Sequence, residues 1–351
     1  MIERRKTRTV DIGGVKIGAG YPVAIQSMAK TVTADINATV GEIIRLEKAG
    51  CEIVRVAVKS TEDARAISGI KEKIHIPLIA DIHFDHRLAL ESIRYGADKI
   101  RINPGNMGRT DDVERIIDAA AAKKIPVRIG INSGSLKDIT TSRLSPPDAM
   151  VSALSGYLDL FRRRGFDNIV ISLKSSDVAS TVMAYRKMAG SCDYPFHIGI
   201  TAAGLPSNGI VKSSMGIGAL LMDGIGDTIR VSLTGDPVCE VDVARRILSA
   251  AGSRSFGPEI IACPTCGRCQ VDLVSIAGEL ERKIKSFKLQ ASSFKVIAVM
   301  GCEVNGPGEA KAADIGIAFG KGKGAIFRAG KIIKTVAASA AVDELLRMID
   351  E

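Results

Sequence analysis

Short runs of apolar, mostly β-branched residues recur along the first two-thirds of the chain, at 22–26, 53–58, 77–81, 99–102, 126–132, 168–174, 196–201 and 228–233. Between them lie stretches with apolar residues at helical spacing, including 37–49, 87–96, 111–124 and 148–164. Strands alternating with helices predict a parallel sheet with helical crossovers. A doubly wound open sheet fits the alternation as well, but eight such units in succession favour a closed α/β TIM (β/α)8 barrel. The pattern changes after position 255. Strands at 295–300, 314–318 and 325–333, with helices at 271–285 and 341–349, predict a small α+β unit. Two domains follow, a barrel over 1–250 and a smaller domain over 255–351, joined by the 251–255 linker Ala-Gly-Ser-Arg-Ser. The polar stretch 286–293 reads as a surface loop, and no solenoid-type repeat is present.

Composition narrows the class. Of the 351 residues, 46% are hydrophobic, enough for a sizeable core. Thirty-five glycines suit many tight strand–helix turns, while 4% aromatics and no Trp argue against a protein that stacks nucleic-acid bases. The net charge of +9 favours anionic partners, although a basic excess most often only solvates helix faces. No segment has the apolar length of a membrane span, and the charged start Met-Ile-Glu-Arg-Arg-Lys has no signal core behind it. A cytoplasmic protein is expected. In that reducing compartment the seven cysteines do not read as a disulfide framework.

Candidate chemistry sits in both domains. Cys263-Pro-Thr-Cys266 presents two thiols to one centre, and Cys302 follows on a Gly-rich segment after a strand. A C-x-x-C pair alone serves zinc, a redox dithiol or an iron–sulfur cluster, and the third cysteine favours a metal over a dithiol. Spacing leaves iron–sulfur and zinc open. Cys269 is either a third ligand or a bystander, and Cys51, Cys192 and Cys239 read as small buried apolar residues. In the barrel, the strand ends where active sites form carry Gln26, Arg55, Asp81 with His83, Arg101 with Asn103, Arg128 with Asn132, Lys174 and Arg230. Five cations converging on one mouth would make a pocket for two phosphate groups. Asp81 and His83 alternate to one side, so they could serve as acid and base or bind a metal. With no third ligand nearby, hydrogen bonding to substrate or orienting the arginines is the better reading. His75 and His197 read as packed.

At these residues the chain resembles the 4-hydroxy-3-methylbut-2-en-1-yl diphosphate synthase family, in its compact two-domain form and over essentially the whole length. The strings that carry the resemblance are Pro22-Val-Ala-Ile-Gln-Ser-Met28, Ala80-Asp-Ile-His-Phe-Asp85, Arg101-Ile-Asn-Pro-Gly-Asn106, Arg128-Ile-Gly-Ile-Asn132, Gly226-Asp-Thr-Ile-Arg-Val-Ser232, Cys263-Pro-Thr-Cys266 and Asn305-Gly-Pro-Gly-Glu-Ala310. The resemblance implies a 4Fe-4S cluster held by Cys263, Cys266, Cys302 and the carboxylate of Glu309, with Cys269 a neighbour. A hard carboxylate is more easily displaced than a thiolate, which would free one iron for a substrate oxygen. The implied reaction is the two-electron reductive ring opening and dehydroxylation of 2-C-methyl-D-erythritol 2,4-cyclodiphosphate. Arg55, Arg101, Arg128, Asn132 and Lys174 would bind the diphosphate, Glu309, Asp81 and His83 would be catalytic, and flavodoxin or ferredoxin would supply electrons to a homodimer.

The match has gaps. Thr201-Ala202-Ala203-Gly204 stands where the family usually reads Thr-Glu-Ala-Gly, so a proton-transfer acid is missing. Losing one general acid costs about 100- to 10,000-fold in rate. Either Asp81, His83 or a water substitutes, or the chain is an iron–sulfur paralogue with weakened or altered activity. Ala29-Lys30, Phe256 and Phe319 also depart from the family's usual residues. A barrel enzyme with a structural zinc domain is the remaining alternative, and it gives Glu309 no role.

Overall fold

The computed structural model describes residues 2–136, 144–286, 294–302 and 313–350. The chain divides into two compact units, Met1–Arg254 and Ser255–Glu351.

The first unit opens with a hairpin of β1 (Val10–Ile12) and β2 (Val15–Ile17). Its turn is Gly13-Gly14, both with positive φ (56° and 95°), a conformation that glycine enters without steric cost. Eight parallel strands follow: β3 (Ala24–Met28), β4 (Ile53–Val58), β5 (Leu78–Ile82), β6 (Lys99–Ile102), β7 (Val127–Asn132), β8 (Ile169–Lys174), β9 (His197–Ile198) and β10 (Thr228–Ile229). They pair in the order β8-β7-β6-β5-β4-β3-β10-β9, and a parallel bridge from Ile171 to Phe196 joins β8 to β9. That closes the ring into a barrel.

The crossovers are α1 (Ile36–Ala49), α2 (Thr61–Lys71), α3 (His86–Arg94), α4 (Thr110–Lys123), α5 (Pro146–Arg163), α6 (Val178–Ala189), α7 (Pro206–Met222) and α8 (Pro237–Ala250). Their starts are written in the sequence. Asp35, Ser60, Asp85, Ser145, Asp177 and Asp236 each accept a hydrogen bond from a backbone N–H of the first turn, satisfying a donor the helix cannot.

Strand alternation sorts the side chains. Val54, Val56, Ile82, Ile100, Ile102, Ile129, Ile169 and Ile171 are fully buried under the helices. Of the inward set, Ala24, Ile53, Ile79 and Val170 pack with Val10, Ile12 and Ile17 of the hairpin in one apolar cluster. The hairpin therefore seals the N-terminal end of the barrel. Above this floor the interior turns polar.

The second unit is a five-stranded mixed sheet of β11 (Glu259–Ala262), β12 (Val296–Met300), β13 (Ile315–Gly320), β14 (Lys323–Arg328) and β15 (Lys331–Ala337), paired in that order. The first three strands run parallel and the last two pairings are antiparallel. Helices α9 (Leu273–Ser286) and α10 (Ala341–Asp350) contribute Leu273, Leu280, Leu345 and Ile349 to a core with Ile297, Val299, Ile315, Ile317 and Ile326.

The structure departs from the sequence-based expectation at specific points. The single strand expected at 325–333 is a hairpin, because Ala329 and Gly330 both take positive φ (48° and 78°) and reverse the chain. The β1–β2 hairpin and β11 carry too few residues for their pattern to register. His75 is exposed rather than packed, paired through Nδ1 with Glu47 at 3.1 Å. Cys239 is exposed on α8 instead of buried, Cys192 is half-buried, and Cys51 is buried as expected. The loop expected at 286–293 falls, apart from the end of α9, outside the described residues.

If the hairpin is a structural floor, Ile12→Ala opens a cavity beneath the barrel. Denaturant unfolding is expected to show a loss of about 2–5 kcal/mol, whereas an unchanged midpoint would make the hairpin a surface ornament.

Candidate active site

Within the barrel the inward positions of successive strands bring basic side chains to one place. Lys99 and Arg101 are two apart on β6, so both face inward, and register sets Asp81 of β5, Arg101 and Arg128 of β7 side by side. Asn132 and Lys174 are paired higher on β7 and β8. Arg55 enters from β4, and Arg230 follows β10. Six cations (Arg55, Lys99, Arg101, Arg128, Lys174 and Arg230) thus share the interior with two carboxylates, Asp81 and Glu240. Arg128, expected at a strand end, is instead the second residue of β7 and reaches in from below.

Asp81 is the hub. Arg101 Nη1 donates to Asp81 Oδ1 at 3.1 Å, and Arg55 Nε lies 3.6 Å from Asp81 Oδ2. The same Nη1 donates to His83 Nε2 at 2.8 Å. A guanidinium has no lone pair to offer, so His83 Nε2 is the acceptor and its ring proton sits on Nδ1. Arg55 also points Nε and Nη2 at Met28 Sδ, 3.2 and 2.9 Å away. Burial opposes ionisation of Asp81, but Arg55 and Arg101 together hold its carboxyl far below the usual carboxylate range. Glu240 of α8 plays a similar part at the rim, within 3.2 Å of Lys30 Nζ and 3.4 Å of Arg230 Nη2.

Several donor atoms of this set lack partners. Among the described residues, no hydrogen bond reaches Arg128 Nε or Nη1, Lys99 Nζ, Arg101 Nε, Arg230 Nε, His197 Nε2 or either end of the Gln26 amide. Buried polar groups are ordinarily satisfied, so a set of orphaned donors around one space marks where an acceptor-rich ligand belongs. Burial lowers Arg55 to about 10, and it lowers Arg128 and Lys174 well below their ordinary values, with the neighbouring guanidiniums adding to the effect. Such a well favours a multiply charged anion.

Lys99 and Glu240 were not singled out by the sequence reading, whereas His197 is fully buried as expected. Lys99 was legible, since a basic residue two positions before Arg101 on a strand must share its face. Glu240 lies on a helix and carries no such signal. Ala202 takes a left-handed φ of 49°, and so does Phe84 (66°), whose ring is exposed beside His83.

In the second unit, β11 and β12 are parallel and end at the same sheet edge, so Cys263 and the Gly301-Cys302 pair emerge side by side. Thr265 takes a φ of 55°, turning the Cys263–Cys266 loop back, and Gln270 N–H donates to Gly301 O at 3.0 Å. Gly301 N–H donates to Cys263 Sγ at 3.3 Å. A Cβ on Gly301 would lie 2.4 Å from Cys269 Sγ and 3.5 Å from Cys263 Sγ, so only glycine leaves room for the sulfurs. Cys269 Sγ donates to Val271 O at 3.3 Å. All these thiols are free of disulfides, with Cys302 buried and Cys266 exposed. Among the described residues no three Cys, His, Asp or Glu side chains gather closely enough to enclose a metal ion. Glu309 lies outside the described residues.

The chain matches two family models in succession, the GcpE TIM-barrel domain over residues 7–245 and the GcpE protein C-terminal domain over residues 259–351. It is 54% identical over 345 residues to a protein of Caldicellulosiruptor saccharolyticus named 4-hydroxy-3-methylbut-2-en-1-yl diphosphate synthase (flavodoxin), covering 98% of each chain. A protein of the same name from Nitratidesulfovibrio vulgaris is 52% identical over 337 residues, covering 95% of this chain and 86% of its own. Among solved structures, dihydropteroate synthase from Stenotrophomonas maltophilia superimposes with a TM-score of 0.52 at 16% identity, covering 71% of this chain and all of that one. That likeness concerns the barrel fold alone.

Removing the hub carboxylate tests this electrostatic account. Asp81→Asn is expected to cost about 3–5 kcal/mol in denaturant unfolding without phosphate or sulfate, since Arg55 and Arg101 lose their counterion. Because the folded value is depressed, the Asp81 contribution is present above the unfolded value near about pH 4 and is lost as pH falls through the folded value. The gap between wild type and variant should therefore narrow only in acid, and a gap that closes near neutrality would contradict the account.

Proposed function

Because this chain belongs to the GcpE family over both of its units, we propose that it catalyses the reaction for which its relatives are named. It would open the ring of 2-C-methyl-D-erythritol 2,4-cyclodiphosphate reductively and release 4-hydroxy-3-methylbut-2-enyl diphosphate. Two electrons enter and one oxygen leaves as water. The observation that carries this reading is the cationic barrel interior, where several buried donors lack partners among the described residues.

In this reading Arg55, Arg101, Arg128, Asn132 and Lys174 bind the diphosphate, and guanidinium forks fix its orientation bidentately. Asp81 keeps Arg55 and Arg101 aimed into the well. His83, held at Nε2 by Arg101, has its Nδ1–H free to face a substrate oxygen. With alanine at position 202, the protons that turn the departing oxygen into water come through His83 or from solvent, since Asp81 stays ionised beside Arg55 and Arg101.

Cys263, Cys266 and Cys302 would hold a 4Fe-4S cluster, with Glu309 as the fourth ligand. The Gly301 cradle and its N–H directed at Cys263 suit a thiolate, since N–H donors to sulfur stabilise its negative charge. When bound, the cluster supplies single electrons to the substrate carbon–oxygen bond. Flavodoxin, named for the relatives, or ferredoxin is the proposed donor. No helix among the described residues is long and apolar enough to cross a membrane, and a cytoplasmic homodimer completes the proposal. Exposed Leu205, Val211, Met215 and Met222, on and just before α7, offer a second copy an apolar face.

Anaerobic reconstitution followed by turnover with a chemical reductant tests the proposal. A brown protein with about four irons per chain that releases the linear diphosphate is the expected outcome. A brown protein that binds the substrate without converting it would point to a paralogue, and a colourless zinc protein would overturn the cluster assignment. Glu309→Ala should impair cluster assembly and abolish turnover. Full activity in that variant would remove Glu309 from the ligand set.

A further inference from the structure

Among the described residues, Lys99 is the one fully buried lysine of the barrel interior. It opens β6, paired in register with Ile79 of β5, and none of its surface is exposed. Its Nζ has no hydrogen-bond partner among the described residues. The charged groups nearest to it are of its own sign, Arg128 from β7 and Arg55 from β4. Lys174 from β8, Arg101 further along β6 and Arg230 after β10 add to the same field. On β9, His197 faces the same space, with Nδ1 bonded to Thr228 Oγ1 at 2.8 Å and Nε2 unpartnered.

Each carboxylate in reach is already engaged. Asp81 on β5 is held by Arg101 and Arg55, and Glu240 on α8 by Lys30 and Arg230. Asp98, next in sequence to Lys99, turns the other way, to the Leu78 N–H and to Lys71 Nζ. Burial, Arg128 and Arg55 accordingly push the Lys99 ammonium well down from its ordinary value. Arginines in such a crowd cannot shed their charge, whereas a lysine can.

We propose that Lys99 is an additional anion-binding residue of this well, an uncharged amine before the diphosphate enters that takes a proton from solvent and binds as an ammonium once it is there. The inference rests on the diphosphate reading above. An uncharged amine beside two guanidiniums spares the fold one buried charge. Two phosphate groups above reverse the sign of the local field, and in a poorly polarisable interior that reversal is felt strongly. Each phosphate of the cyclic substrate carries one ester and one anhydride linkage and keeps a single strongly acidic oxygen. Neither titrates near neutrality, so any proton taken up on binding belongs to the protein.

Calorimetry of the cyclodiphosphate binding to cluster-loaded, oxidised enzyme without reductant provides the test, at one pH in two buffers of different ionisation heat. Wild type should take up on the order of one proton per ligand. Lys99→Met, which can never be charged, should lose about half of that uptake or more and bind more weakly. Lys99→Arg, which is always charged, should lose the same uptake. Thermal unfolding confirms that each variant is folded, and either one suffices. No uptake in wild type, or equal uptake in wild type and a folded variant, overturns the assignment. Absence of any binding by wild type would sink the diphosphate reading and Lys99 with it.

Discussion

Concentrated positive charge inside a closed barrel is the constraint on which the rest of this structure depends. Burying an ion away from water is tolerated only when it is paired, solvated or about to meet a ligand. Here the pairing is partial. Asp81 holds two arginines and a histidine in one network, Glu240 holds a lysine and a third arginine, and no carboxylate among the described residues pairs with Arg128, Lys99 or Lys174. Everything around this set limits the damage. The N-terminal hairpin closes the bottom with Val10, Ile12 and Ile17, and the outward strand faces bury a continuous apolar layer beneath eight helices.

That arrangement keeps donors fixed before an anion arrives. Preorganised cations in a site shielded from water act on a bound anion without having to reorient, which is the most effective form of electrostatic binding. The same feature lowers the stability of the unliganded fold, as sites shaped for function commonly do. The bound anion would relieve the repulsion that the fold tolerates alone. If the interior binds an anion as proposed, it is a binding site and a local weakness for a single reason.

The second unit applies a different rule, in which backbone geometry comes first. Two parallel strands ending together bring Cys263 and Cys302 to one edge, and a glycine at position 301 leaves space for sulfur. A left-handed Thr265 folds the intervening loop back onto that edge. Thiols placed by rigid strand ends, not by a long loop, are suited to holding a centre whose geometry must not drift.

Much of this was legible in the chain. Eight β-branched runs alternating with amphipathic stretches determined the barrel, because strand and helix periods are local properties of sequence. Helix starts were equally plain in the Asp and Ser caps, and so was the gathering of basic residues on the inward faces of the strands. Short elements were not legible. Three-residue strands carry no periodicity, and the reversal at Ala329-Gly330 interrupts a run that otherwise reads as one strand. The exposure of His75 and Cys239 was hidden too, since burial is set by what packs opposite.

The sequence by itself determined which residue types line the barrel and which side of each strand they occupy. Only the tertiary structure decided which of them share a counterion and which have none. That Arg101 and Arg55 meet at Asp81 while Lys99 and Arg128 stay unpaired depends on strand register around a closed ring. Electrostatic energy depends on distances across that ring, and a linear pattern does not contain them.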